Sequence, residues 1–212
     1  MTKAEREIYL RERLESMLTH ERKLRESGRL YIAGVDEVGR GPIAGPVCAA
    51  ALILPSDFSL LGVDDSKKLS PKKREELAEA IKKEALCYAF GWVKSEVIDN
   101  INILQATKLA MSRAVAGLAI RPDHVLIDGN FTVKAIDIPQ TAIPGGDAKS
   151  VSIAAASILA KVARDRYMVS MSEIFPGYSF ENNKGYGTKA HYEGIEKLGT
   201  TPIHRQSFLK EK

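Results

Sequence analysis

The sequence carries little net charge. Its 31 Lys and Arg against 27 Asp and Glu leave a net charge of +4 over 212 residues, which permits a polyanionic partner without demanding one. Cysteine is scarce. Cys48 and Cys87 both sit in apolar surroundings, and they read as buried free thiols of a reducing cytosol rather than a disulfide scaffold. No apolar run approaches the ~20 residues that a membrane-spanning helix needs. Met1 to Gly28 is charged throughout, so a signal peptide is not expected. There is no internal repeat, no low-complexity linker and no Cys/His cluster of zinc type. A soluble cytoplasmic protein without membrane contact is the expectation. What is present is ordinary globular composition, 44% hydrophobic and 27% charged, enough for one domain with at most a small appendage.

Residues 3–26 carry Leu10, Leu14, Met17, Leu18 and Leu24 as an apolar stripe among charges, which predicts one surface helix ended by Gly28. It reads as a solvated helix packed on the body, or as an extra nucleic-acid-binding arm. The domain division follows: 1–28 as an N-terminal helical extension, 29–212 as the main body. Strands are predicted at Leu30–Val35, Val47–Leu54 and Leu86–Val93, and at the apolar run opening His124–Asn130, with two short pieces between Thr132 and Pro144. Ser70 with Pro71 marks a helix start, and Leu77, Ala80, Ile81 and Ala85 supply its buried face. A second helix is predicted from Asp99 or Asn100 to about Ala119. A long, initially Ala-rich helix runs from Ser150 to about Phe175, and a last short one follows "ENNKGYGTKAH". Strands come first and together, then alternate with helices, which implies α/β with a mixed central sheet.

The chemistry lies in four acids. Asp36 and Glu37 follow the first strand, Asp128 follows a later one, and Asp147 sits in a Gly-Gly-Asp turn before the long helix. Strand ends can project together over one sheet edge, where α/β proteins tend to place their sites. Carboxylates meeting there repel unless a cation lies between them. Hard oxygen donors suit Mg²⁺ or Mn²⁺, and two such ions ~4 Å apart can serve an in-line phosphoryl displacement. For Asp147 taken alone, capping of the following helix is the more ordinary role. Asp137 and Asp165 read as surface or salt-bridging acids.

Gly39-Arg40-Gly41-Pro42 lacks the spacing of a phosphate-cradling loop. It is either a tight turn or a place where bare backbone approaches a ligand and hydrogen-bonds a sugar hydroxyl. "DSKKLSPKKR" is a charge run that can be a solvated face, although Asp65-Ser66-Lys67 can instead meet phosphate. In "NKGYGTKAH", Tyr186 lies between glycines and can stack on a sugar or base.

Taken as an ordered set, "GVDEVGRGPIAGPV", "DDSKKL", "ILQAT", "LIDGN", "GGDAKSVSIAAASILAKVARDR" and "NNKGYGTKAH" resemble bacterial ribonuclease HII over roughly residues 30 to 191. The resemblance implies a ribonuclease H-like fold, a mixed five-stranded sheet flanked by helices, with the N-terminal helix and a helical C-terminal part. It implies a metal-dependent endonuclease that cuts the RNA strand of RNA–DNA hybrids and cuts 5′ of ribonucleotides embedded in duplex DNA, leaving 5′-phosphate and 3′-hydroxyl ends. A role in removing misincorporated ribonucleotides and a monomeric state are implied with it. Carried over by motif, Asp36, Glu37, Asp128 and Asp147 correspond to catalytic acids holding two divalent ions, Mg²⁺ or Mn²⁺. Gly39, Arg40 and Gly41 correspond to a loop that reads the junction's 2′-hydroxyl, and Tyr186 to a residue packing on the next deoxyribose. Ser66 and Lys67 are similar to phosphate-contacting residues. Arg40 in the loop, and about thirty residues before the first strand, differ from the Gly-Thr-Gly-like loop and large N-terminal domain of ribonuclease HIII. Two other readings stay open: a DNA-directed nuclease of the same fold, and a hybrid-binding protein whose acids only stabilise loops.

Overall fold

The computed structural model describes residues 1–209. Two helices, α1 (Lys3–Met17) and α2 (Thr19–Glu26), precede strand β1 (Ile32–Val38) and strand β2 (Val47–Ile53). Then come α3 (Pro71–Glu84), β3 (Cys87–Val93), α4 (Ser95–Ala116), β4 (His124–Asp128) and β5 (Gln140–Ile143). The chain closes with α5 (Val151–Ile174), α6 (Phe180–Asn183), α7 (Lys189–Leu198) and α8 (Gln206–Leu209). The sheet order is β3-β2-β1-β4-β5. β1 pairs antiparallel with β2, and β2 with β3; β1 with β4, and β4 with β5, are parallel. This is the mixed five-stranded α/β sheet expected from the resemblance. Among the described residues, no helix is long and apolar enough to cross a membrane.

The sheet is a middle layer. On one face Ala33, Val35, Ala49 and Ala51 pack with Ala106, Ala110 and Ala114 of α4. On the other, Ala50 and Leu52 pack with α5, α3 and the N-terminal helices. The Ala-rich start of α5 lets it lie close to the sheet. A Cβ on Gly34 of β1 would stand 2.2 Å from the Ser152 carbonyl carbon, so that position admits no side chain.

α5 starts where its sequence marks it. Ser150 Oγ accepts from the Ile153 N–H at 3.3 Å. A second acceptor comes from the N-terminal helices: Glu21, 1% exposed, accepts from Ser150 Oγ at 2.6 Å and from the Ser152 N–H at 3.0 Å. A carboxylate at a helix N-terminus meets both unpaired donors and the helix dipole. Leu14, Met17 and Leu18 belong to the same core as α3 and α5.

Several expected boundaries move. The single N-terminal helix is divided at Leu18. β1 starts at Ile32 and runs on to Val38, so Asp36 and Glu37 lie within the strand, opposite Ala50 and Ala49 of β2, rather than after it. Continued pairing with β2 keeps the backbone extended through the acids. α4 begins earlier, at Ser95, and ends at Ala116; Asn102 breaks it with φ 65, its Oδ1 accepting from the Leu104 and Gln105 N–H groups. Between Thr132 and Pro144 only β5 forms. The Gln140 amide accepts from the Val133 N–H and donates to the Val133 and Ile136 carbonyls, so a side chain closes the first piece into a turn. Cys48 is buried, but Cys87, on the sheet's edge strand, is only partly so.

Candidate active site

The parallel ladder between β1 and β4 stops at the pair Val35–Ile127. Beyond it the β4 flank of β1 is open, and three acids meet there. Strand alternation puts Asp36 on the α5 face and Glu37 on the α4 face; the open flank lets Glu37 reach back round the edge. One carboxylate oxygen from each of Asp36, Glu37 and Asp128 lies within 4.8 Å of the other two.

Each of these acids is disfavoured as an anion. Burial, followed by the Glu37 and Asp128 charges, pushes the Asp36 pKa well above the usual carboxylate value. Burial raises Glu37 too, against the lowering effect of Arg40, whose Nη1 donates to Glu37 Oε1 at 3.3 Å. Burial raises Asp128, opposed by the Gly146 N–H, which donates to Asp128 Oδ1 at 2.6 Å. Three crowded hard oxygen donors with a net deficit of positive charge fit a divalent cation, and they would be the residues to hold it.

Asp147 stands beside this trio without joining it. It rides on a 3₁₀ turn, Gly146–Ala148, close enough for its charge to raise the Asp128 pKa. Its Oδ2 accepts from Lys67 Nζ at 3.1 Å. The cap of α5 is Ser150, so Asp147 does not serve that helix.

The trio opens into a cleft of about 370 Å³ that is also lined by Gly39, Arg40, Gly41, Ser66, Lys67 and Tyr186. Of the residues to which the family resemblance assigns a role, Asp147 alone is outside its lining. Gly39 has φ +94, and a Cβ there would meet Arg164 Nε at 2.2 Å. Tyr186 is 45% exposed, with Cε1 only 3.6 Å from a Cβ position on Gly41. The carbonyl of Tyr186 accepts from His191 Nδ1 at 2.8 Å. Ser66 is buried, and its hydroxyl lies 3.0 Å from that of Ser157.

Ser157 and Lys161, one turn apart on α5, also line the cleft and escaped the sequence reading. The Ser157 hydroxyl lies close enough to Asp36 to ease its ionisation. A lone hydroxyl in the run "IAAASILAK" was the available signal. Lys161 is paired with Asp165 at 2.8 Å, and Arg74 approaches the same carboxylate at 3.7 Å.

The family model described as Ribonuclease HII matches residues 33–211. The ribonuclease HII of Moorella thermoacetica is 55% identical over 198 residues, covering 93% of this chain and 96% of that one. Among solved structures, the chain is similar to the ribonuclease HII of Archaeoglobus fulgidus, solved in complex with PCNA. The TM-score is 0.71 at 27% identity, over 86% of this chain and 98% of that one. The ribonuclease H2 of Pyrococcus horikoshii OT3 gives a TM-score of 0.68, also at 27% identity, over 84% and 93% of the two chains.

Proposed function

The chain belongs to the ribonuclease HII family and is a metal-dependent endoribonuclease of RNA–DNA hybrids; we propose that it also cuts duplex DNA on the 5′ side of an embedded ribonucleotide, leaving 5′-phosphate and 3′-hydroxyl ends. The observation that carries this reading is the meeting of Asp36, Glu37 and Asp128 in one cleft with the bare Gly39–Gly41 loop and the exposed Tyr186. Acids alone suit many phosphodiesterases. Acids beside a backbone able to approach a sugar, and beside an aromatic ring able to pack on the next one, suit a ribose–deoxyribose step.

Asp36, Glu37 and Asp128 would hold the divalent ions, with Asp147 adjacent to complete the set. The donors are all oxygen, which suits Mg²⁺ or Mn²⁺. A pair of such ions, when bound, supplies Lewis acidity to the scissile phosphate, its attacking water and its leaving 3′-oxygen. The rest falls to the protein. The Gly39–Gly41 backbone meets the 2′-hydroxyl and fixes which phosphate lies over the acids. Tyr186 packs on the following sugar, where an added hydroxyl would have to displace it. Ser66 and Lys67 sit at the cleft wall as phosphate contacts. Such a specificity serves the removal of ribonucleotides misincorporated into DNA.

The test is a duplex carrying one ribonucleotide, incubated with Mg²⁺ and with chelator, and the cut mapped at nucleotide resolution. One Mg²⁺-dependent nick on the 5′ side of the ribonucleotide is expected. Equal cutting of an all-deoxy duplex would make the protein a DNA nuclease. Binding with no new ends in either buffer would overturn the proposed cleavage at an embedded ribonucleotide.

A further inference from the structure

Two of the largest buried side chains are cations without anions. Arg164 of α5 and Arg205, just before α8, are both 0% exposed, and neither makes an ion pair among the described residues. Burial, then the nearby Arg164 charge, brings the Arg205 pKa down to about 9, which leaves it charged at neutral pH. A buried unpaired charge is costly, so its hydrogen bonds show what the fold sets against that cost.

All of the Arg205 side-chain hydrogen bonds go to backbone carbonyls around the glycine loop. Its Nη2 donates to Gly39 O at 2.6 Å and its Nη1 to Arg40 O at 2.9 Å. Nε and Nη2 both donate to Gly45 O, at 2.9 and 2.7 Å. The consequence is directional. No peptide bond here is cis, and across a trans peptide the C=O and the next N–H point opposite ways. With the Gly39 and Arg40 carbonyls turned inward, the N–H groups of Arg40 and Gly41 turn outward. Both residues are exposed and line the cleft, and neither N–H finds a partner among the described residues.

We propose that Arg205 is a positioning residue that aims the Arg40 and Gly41 N–H groups into the cleft as paired donors to the oxygen of the ribose 2′-hydroxyl. The proposal rests on the reading of Gly39–Gly41 as the loop that meets this hydroxyl. Discrimination between ribose and deoxyribose is then set from the C-terminal segment, beneath the loop and out of reach of substrate. A deoxyribose offers those two donors only a C–H.

Arg205→Lys keeps the charge but loses the planar fork that spans three carbonyls. The measurement is KM for a duplex with one ribonucleotide, beside Ki for the matching all-deoxy duplex as competitor, in Mg²⁺. For the wild type Ki exceeds KM; in Arg205→Lys, KM rises at least tenfold while Ki stays within about twofold. A parallel rise of both, or no change in either, overturns the proposal, because a general loosening of the fold moves them together. Equal KM and Ki in the wild type defeats the underlying reading of the loop instead. Should Arg205→Lys fail to show a cooperative melting transition, amide exchange of the wild type decides. Arg40 and Gly41 then exchange fast in the free protein and slow on addition of the ribonucleotide duplex in metal-free buffer, but not of the all-deoxy one. Slow exchange in the free protein, or no slowing by either duplex, overturns it.

Discussion

Lys67 Nζ lies 3.1 Å from Asp147 Oδ2. The lysine side chain is 81% exposed and the aspartate only 10%, so the ammonium caps the acid from the solvent side. Burial works against the Lys67 charge, but the bond to Asp147 outweighs it and raises the pKa. Because the Lys67 ammonium is itself solvated and screened, the pair contributes little to folding, about 1 kcal/mol or less. Lys67→Ala is therefore expected to leave the melting temperature nearly unchanged and to raise KM for a ribonucleotide-containing duplex about tenfold. An unaltered KM would remove Lys67 from substrate contact.

Asp36 is the most buried of the three clustered acids, and its neighbours penalise its charge. Asp36→Asn keeps the shape, the bond from the Glu37 N–H, and the approach of Ser157. It removes one anion from a crowded trio. In the absence of divalent ions the variant is expected to melt at a higher temperature than the wild type. The order reverses on adding Mg²⁺, because ligand binding stabilises only a fold that retains its site. Cleavage falls by about 10³-fold or more, since ligands to catalytic metal contribute several kcal/mol to the transition state. Scanning calorimetry with and without Mg²⁺ checks the first part. A wild type indifferent to Mg²⁺ would count against a cation at this trio.

Gly39 and Gly41 differ in a way that their shared motif hides. Gly39 has φ +94 and would drive a Cβ into Arg164, while Gly41 has 3.6 Å of clearance to Tyr186. Gly39→Ala is expected to destabilise by about 2 kcal/mol or more, combining left-handed strain with a buried clash. Gly41→Ala is expected to fold with near-wild-type stability and to lose activity by a higher KM, because its methyl group narrows the cleft against Tyr186. Urea unfolding of both variants, paired with steady-state kinetics, separates the two roles. Equal stability of the two alanine variants would contradict the backbone geometry.

How much of this could be read from residues alone depends on what each residue reports. The Asp36-Glu37 pair was visible because two adjacent carboxylates in an apolar run have no ordinary structural use. That they sit inside β1 was not, because the strand's extent is set by β2 beside it and not by its own residues. Ser70 could be read as a cap because capping is local chemistry, whereas α5 is capped by Ser150 and not by Asp147, the residue its sequence offered for that role. Glu21, Arg164 and Arg205 could not be read at all. Each has the composition of a solvated surface residue, and each is buried by partners far off in sequence: Glu21 under α5, and the arginines beneath carbonyls of residues 39 to 46. Gln140 is a similar case, a single amide that replaces a strand pairing with a turn.

The buried histidines give the protein an acid limit apart from the acids of the cleft. His191 Nδ1 donates to the Tyr186 carbonyl, so its Nε2 must accept. The Thr201 N–H donates to His204 Nδ1 at 2.9 Å, so His204 Nε2 carries the proton and donates to His191 Nε2 at 3.0 Å. Every ring nitrogen is used, and both rings must be neutral. Burial, then the His191 ring, lowers the His204 pKa from 6.5 to about 4, and burial lowers His191 as well. A histidine with a depressed folded pKa binds fewer protons than the unfolded chain between the two values, so stability falls as pH drops from about 6.5 to about 4. The loss attributable to His204 is roughly 3 kcal/mol across that window. His204→Gln is expected to be less stable than the wild type at pH 8 and to show a flatter decline below pH 6.5. Because His191 holds the Tyr186 backbone, the wild type's KM for the ribonucleotide duplex is expected to rise over the same acidic range, ahead of global unfolding. Chemical denaturation at stepped pH, alongside KM at each step, tests both; parallel stability curves for the two proteins would show that the pair does not set the acid limit.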